Sequence, residues 1–283
     1  MDYFSIDYLI VYAFLIITLI IGLRAGRGIK DIREYALANR GYSTGALVLT
    51  KLATTIGGAA TIIASAEAYS HGVIMTAASM GIIISVLFVA FFVAPRMKYF
   101  SRCLTIGDMM AQLYGGNTIK IIAGSLGVVH STIIAGLQLF VLGIICDTLL
   151  GVDPFWGIVL GGIFLGGYVA VGGIRAVTAT DIFQFLILII IFPIICSIAV
   201  KHVGGLATLF AKVPQEKLLI RGHEQFYLHL TLFLTLGIFS VGITVPPLTQ
   251  RLLMAKDGRQ IRNQHLIVAF LDPAFRILVM LIG

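Results

Sequence analysis

Long apolar stretches alternate with short polar segments along this chain, and the alternation sets the expected architecture. Each apolar stretch is close to the roughly 20 residues that a helix needs to cross about 30 Å of hydrocarbon. We therefore predict an all-α integral membrane protein with about eight transmembrane helices. The predicted spans cover residues 7–25, 45–70, 73–94, 119–147, 154–173, 178–200, 226–250 and 264–283.

The composition excludes an ordinary soluble domain. Of the 283 residues, 59% are hydrophobic and 12% are charged, whereas globular domains are roughly 45–50% apolar and about 25% charged. The net charge of +7 does not indicate nucleic-acid binding, because Lys and Arg lie in short connecting segments and not along one amphipathic face. Their distribution is better explained by membrane topology.

Short cytoplasmic loops are enriched in Lys and Arg, so these residues predict the orientation. Connections on one side of the predicted spans hold fourteen of them, and those on the other side hold four. This bias places the N-terminus outside a bacterial cytoplasmic membrane. The fourteen are Arg24, Arg27, Lys30, Arg33, Arg40, Arg96, Lys98, Arg102, Lys120, Arg175, Arg251, Lys256, Arg259 and Arg262, and the four are Lys201, Lys212, Lys217 and Arg221.

The stretch "TTIGGAAT", residues 54–61, lies inside the second predicted span. Gly57 and Gly58 remove side-chain support for a helix, and the neighbouring threonines compete for backbone hydrogen bonds. Two interpretations stay open. The helix breaks here and its free backbone groups line a cavity, or it continues and its small residues allow close helix packing.

A second interruption is predicted in the seventh span. Pro246 and Pro247, in "TVPPLT", remove two backbone donors and should kink or break a helix. The two interrupted spans are five apart. That spacing is typical of a secondary transporter built from two inverted five-helix repeats, here preceded by one extra helix.

Charged residues within or beside the spans each have two interpretations. Asp181 is either a carboxylate near a helix N-terminus, within reach of Arg175 or interfacial water, or it lines an inward cation route. Lys51 either extends its ammonium group to the membrane surface or places a fixed positive charge near the glycines. No nucleophile has a matching base and no residues have metal-ligand spacing, so we predict neither an enzyme nor a cofactor.

Three stretches resemble the sodium:solute symporter family, which includes the sodium/glucose cotransporters and the sodium/proline symporters. In chain order, the three stretches are similar to the family's unwound first core helix, to its most characteristic motif and to the end of its sixth core helix. The stretches are "ATTIGGAATIIASAEAYSHG" (residues 53–72), "GGIRAVTATDIFQ" (residues 172–184) and "QRLLMAKDG" (residues 250–258).

The resemblance implies a leucine-transporter-type fold, with ten core helices in two inverted repeats. The whole chain then forms one transmembrane domain: an extra N-terminal helix (residues 7–25), the first repeat (residues 45–200) and the start of the second (residues 226–283). Because the family completes its sodium site with hydroxyl residues on the eighth core helix, and this chain stops in the seventh, we expect a C-terminally truncated member with an incomplete second repeat.

The resemblance also implies specific sites. Ala53 and Ile56 match the residues whose backbone carbonyls help to bind the family's sodium ion, and Asp181 matches an aspartate near the ion's inward path. Sodium is the coupling ion and the one metal implied. The segment "TVPPLT" lacks the polar residues of sugar-transporting members, which argues against a sugar substrate.

These observations predict a sodium-coupled symporter of a small organic solute, such as an amino acid or a carboxylate, or the N-terminal part of one. Its expected partners are sodium, the solute and the lipid bilayer, and not nucleic acid. Two alternatives share the same features. One is a transporter-like sensory input domain of a membrane histidine kinase, and the other is a non-functional truncated remnant.

Overall fold

The computed structural model describes residues 6–239 and 245–283, and the regular elements in those ranges are helical. The first part of the chain forms α1 (Ile6–Ala25), α2 (Ile32–Leu37), α3 (Thr44–Thr55), α4 (Gly58–His71), α5 (Val73–Ser79), α6 (Ile82–Phe88), α7 (Ile106–Tyr114) and α8 (Asn117–Leu150). The remainder forms α9 (Pro154–Val203), α10 (Leu206–Lys212), α11 (Gln215–Leu218), α12 (Phe226–Phe239), α13 (Pro246–Leu253) and α14 (Gly258–Ile282). Shorter helical turns lie at Ala38–Arg40, Val89–Val93 and Ala94–Phe100. The predicted all-α class is confirmed.

Helix α9 reverses direction at Gly173, which has φ 48° and ψ −143°. On α1, Gly22 contacts Tyr168 and Gly26 contacts Gly172, so α1 runs parallel to the first half of α9. Further back along α1, Phe14 stacks on Phe183 with the ring centroids 5.9 Å apart, so α1 runs antiparallel to the second half. The two halves therefore form a hairpin, as the separate fifth and sixth predicted spans require.

The number of membrane crossings is only partly described. Within residues 6–239 and 245–283, five helices are long and apolar enough to cross a membrane, or six when α3 and α4 are taken as one bent span. Helix α9 counts as one of the five. Its 50 residues would extend about 75 Å as a straight helix, which is long enough for two crossings. The predicted seventh span includes residues 240–244, which lie outside the described residues. The count of eight stays a prediction.

The segments rich in Lys and Arg gather at one end of the helix bundle, called here the basic end. It contains α2, residues 94–102, α7, the end of α13 and the start of α14. Three side chains join these segments through backbone carbonyls. Arg40 Nε donates to Leu253 O at 2.9 Å, Gln260 Nε2 to Tyr42 O at 2.9 Å and Gln112 Nε2 to Tyr99 O at 2.7 Å.

A buried apolar cluster holds α3, α9 and α14 together. Phe185 is fully buried, and its ring centroid lies 5.2 Å from that of Phe275. Leu52 and Val268 are also buried in this cluster. Because lipid tails are as apolar as these side chains, such packing works through close van der Waals contact and not through the hydrophobic effect. It positions α3 beside α14, and this arrangement sets the geometry of the site.

Candidate functional site

The second predicted span is interrupted between α3 and α4. Ile56 has φ −111° and ψ 29°, which ends α3. Gly57 is extended, with φ −64° and ψ 160°, and Gly58 is the first residue of α4. The two helices, measured over Thr44–Thr55 and Ala60–His71, are bent by 54°. The stretch "TTIGGAAT" therefore contains a broken helix, and the unbroken-helix interpretation is wrong.

Several carbonyl oxygens at the break lack a helical partner, among them those of Ala53 and Ile56. Among the described residues, no backbone amide outside the regular helices donates to Ala53 O or Ile56 O. Ile56 O accepts a 3.3 Å bond from the Thr61 hydroxyl, which also lies 3.2 Å from Gly57 O. Because lipid offers no donors, oxygens of this kind must face a polar partner or a cavity.

Pro246 and Pro247 are the first residues of α13, and Val245 precedes them as the N-cap. Proline suits this position, because the first amide of a helix has no intrahelical partner. In the described part of the chain the two prolines therefore begin a helix instead of interrupting one. Residues 240–244, which would join α12 to α13, lie outside the described residues.

Asp181 lies at the centre of a polar contact between α3, α9 and α13. It accepts a hydrogen bond from the Thr50 hydroxyl. It also forms an ion pair with Arg251, with Nη2 and the carboxylate oxygen 2.8 Å apart. The two charged side chains are 19% and 7% exposed. The expected neighbour Arg175 pairs instead with Glu34, at 3.0 Å. Arg175 is therefore not the partner of Asp181, and that part of the first interpretation is wrong.

Tyr42 lies beside this contact, in the loop before α3. Burial raises the pKa of its phenol, while the nearby side chain of Thr178 and the guanidinium groups of Arg175 and Arg251 act in the opposite direction. The net increase keeps the phenol protonated at neutral pH. Tyr42 can therefore donate a hydrogen bond at the basic-end side of Asp181.

A cavity of about 70 Å³ opens directly at the break. Its polar lining residues are Thr55, Thr61, Thr76, Ser79 and Arg276. Helices α4, α5 and α14 supply the apolar remainder of the wall. The cavity thus combines hydroxyl groups, one cation and apolar surface next to the Ile56 backbone.

A cluster of charged side chains lies behind this cavity, between α3 and α14. Lys51 is 4% exposed and Asp272 is 3% exposed, so the expectation that Lys51 reaches the membrane surface is wrong. Arg276 Nε binds Asp272 Oδ2 at 2.5 Å. The sequence analysis assigned no role to Asp272 or Arg276. The available signal was their spacing of four residues in an otherwise apolar stretch.

The chain is similar to transporters of known type. A family model described as "Sodium:solute symporter family" matches residues 35–282. A sodium/proline symporter of Staphylococcus aureus is 24% identical over 213 residues, which cover 71% of this chain and 40% of that protein. The corresponding protein of strain Newman is 24% identical over 214 residues and is covered to 41%. This chain thus spans about two fifths of the length of these relatives.

A solved structure shows the same fold. Its title reads "Substrate-bound outward-open state of a Na+-coupled sialic acid symporter reveals a novel Na+-site". The TM-score is 0.83 at 19% identity, and the match covers 100% of this chain and 60% of that one. This likeness bears out the predicted leucine-transporter-type fold. With the family match over most of its length, the chain belongs to the sodium:solute symporter family.

Proposed function

We propose that the chain is a sodium-coupled symporter of a small organic solute, or the N-terminal part of one. The supporting observation is the broken helix, where no backbone amide of the described residues donates to Ala53 O or Ile56 O. In transporters, carbonyls of unwound helices coordinate sodium. The named relatives are sodium/proline symporters, which supports the same ion for this chain.

In this proposal, the contact between Asp181 and Arg251 closes the ion's route on the basic-end side of the break. Thr50, which binds Asp181, lies six residues before Ile56 on the same broken span. A sodium ion passing here would be attracted by the carboxylate and repelled by the guanidinium group. Release of the ion therefore requires the pair to separate, and Asp181 becomes available to the ion only then.

The cavity at the break is the proposed solute site. Hydroxyl groups and a guanidinium group can orient a small polar solute, and the apolar wall can receive its carbon skeleton. The gathering of Lys and Arg at the basic end supports placing that end on the cytoplasmic side, with the N-terminus outside.

Sodium binding can be tested without knowing the solute. The purified 283-residue chain is incubated with ²²Na⁺ in lipid nanodiscs, and unlabelled Na⁺ or K⁺ competes. We expect saturable binding that Na⁺ displaces and K⁺ does not. Binding that both ions displace equally would overturn the proposal.

Transport is measured in proteoliposomes as uptake of labelled L-proline under an inward sodium gradient, with a potassium gradient as control. Proline is the probe because the named relatives are sodium/proline symporters. Asp181→Asn should weaken the sodium dependence of uptake. If Asp181→Asn and the unmodified chain show the same sodium dependence, the assigned role of Asp181 is wrong.

A further inference from the structure

The cluster behind the cavity contains two cations and one carboxylate. Asp272 faces Arg276 through both oxygens, at 2.5 Å from Nε and 3.5 Å from Nη2. Lys51 lines a second, smaller cavity with Asp272, but forms no ion pair with any residue that the structure describes. The remaining titratable group facing Lys51 is His265, whose Nδ1 lies 2.9 Å from Ile261 O.

In this arrangement two basic side chains, those of Lys51 and Arg276, face the single carboxylate of Asp272. With Lys51 and Arg276 both charged, a single carboxylate compensates two cations, and the cluster carries a net charge of +1. An uncompensated charge away from water costs several kcal/mol, and ionisable residues inside spans are usually functional for that reason. An anion supplied from outside would remove the excess.

The structure shows where such an anion would enter. Arg276 lines the cavity at the break, whereas Lys51 and Asp272 line the smaller cavity behind it. Thr55 borders both cavities, and its hydroxyl lies 3.5 Å from Asp272 Oδ1. A negatively charged group in the first cavity can therefore reach Arg276 without reaching Lys51.

We propose that the cluster of Lys51, Asp272 and Arg276 selects a solute that carries a carboxylate. The solute's carboxylate binds Arg276, and Asp272, released from that pair, turns to Lys51, so that both cations are neutralised. This inference rests on the proposed function of the cavity as the solute site. Since Lys51 belongs to α3, the exchange also links solute binding to the helix that ends at the proposed sodium carbonyls.

The first experiment compares solutes that differ by one functional group. L-proline is paired with L-prolinamide and propionate with propionamide, and each is titrated calorimetrically into the purified chain in sodium buffer. We expect each carboxylate to bind at least about tenfold more tightly than its amide, since a charge-assisted contact contributes that much. Equal affinities within both pairs, or binding of neither carboxylate, would overturn the selection mechanism.

The second experiment varies the charge of the cluster without touching the cavity wall. Lys51→Met makes the cluster neutral, and Lys51 does not line the cavity at the break. The preference for carboxylates should then fall below about threefold. The double variant Lys51→Met with Asp272→Asn restores the net charge of +1, and the preference should return. An unchanged preference in Lys51→Met would contradict the proposal, because a direct contact with Arg276 alone does not depend on Lys51.

Arg276 supplies the matched pair of cavity variants. Arg276→Lys keeps the charge and should keep the preference, whereas Arg276→Gln should lose it. Retention of the preference in Arg276→Gln would contradict the proposal. Lys51→Met should fold, because Lys51 forms no ion pair with a described residue and its replacement removes the cost of burying an unpaired charge. Saturable ²²Na⁺ binding in the same preparations separates the two proposals: if it persists while the solute preference is absent, only the selection mechanism fails.

Discussion

Arg251 binds Asp181 at 2.8 Å and thereby joins the end of α13 to the second half of α9. The two residues are 70 positions apart in the sequence, and the ion pair is largely shielded from solvent. It connects a helix of the first predicted repeat to a helix of the second. The contact is therefore a natural place to test stability and ion dependence together.

Asp181→Asn should destabilise the protein by about 3–5 kcal/mol, because the buried Arg251 loses its counter-charge. The double variant Asp181→Asn with Arg251→Gln should be less destabilised than the sum of the single variants. Thermal unfolding in detergent, arranged as a double-mutant cycle, measures the coupling energy. As a control, Arg175→Gln removes the half-exposed partner of Glu34. This variant should lower the free energy of unfolding by less than about 1 kcal/mol. Additive effects at Asp181 and Arg251 would show that the pair is not coupled.

Gly26→Ala should weaken the packing of α1 on α9. A Cβ at Gly26 would lie 2.4 Å from the Gly172 Cα, a contact that forces the two helices apart. Gly45→Ala is the matched control, since a Cβ there meets nothing within 4 Å. We expect a lower unfolding temperature for Gly26→Ala, and an unchanged or slightly higher one for Gly45→Ala, because alanine favours a helix over glycine. Equal temperatures for the two variants would contradict the close contact of α1 and α9.

Gly57→Ala should fold as well as the unmodified chain, although Gly57 lies in the break. Its φ of −64° suits any residue, and an added Cβ would have its nearest neighbour at 3.5 Å. Gly72→Ala should be strongly destabilising by comparison, because Gly72 has φ 74° and its Cβ would lie 2.1 Å from Lys217 O. Thermal unfolding of both variants is the measurement. A similar loss of stability in both would show that the break itself requires glycine at position 57.

Asp108 should make stability depend on acid pH. Burial of its carboxyl opposes ionisation, but the Lys120 ammonium at 2.8 Å and the Leu104 amide outweigh it and hold the pKa of Asp108 below its usual value. A carboxylate with a lowered folded pKa stabilises the protein above the unfolded value of about 3.9, and the contribution is lost as pH falls through the folded pKa.

In Asp108→Asn this part of the acid dependence should disappear, whereas Glu224→Gln, at an exposed carboxylate, should keep it. Unfolding temperatures measured between about pH 2 and pH 6 cover the range in which the contribution of Asp108 is lost. A pH profile of Asp108→Asn that superimposes on that of the unmodified chain would rule out the contribution.

The sequence by itself determined the features that depend on neighbouring residues. Apolar stretches of membrane-spanning length predicted the helices, and the glycines and threonines of residues 54–61 predicted the break before Gly58. The boundary between the predicted spans 154–173 and 178–200 coincides with the reversal found at Gly173. Each of these signals lies within a few residues of the feature that it predicts, because backbone conformation is largely a local property.

Only the tertiary structure decided which charges meet. Asp181 is 131 residues from Thr50, and Thr55 is 217 residues from Asp272. These distances along the chain explain why Arg175 was the wrong partner and why Lys51 was placed at the surface. A charged residue in an apolar stretch indicates that a partner is needed. The packing of α3 against α9 and α14 determines which residue that partner is. The sequence therefore located the break, and the fold supplied the charged cluster around it.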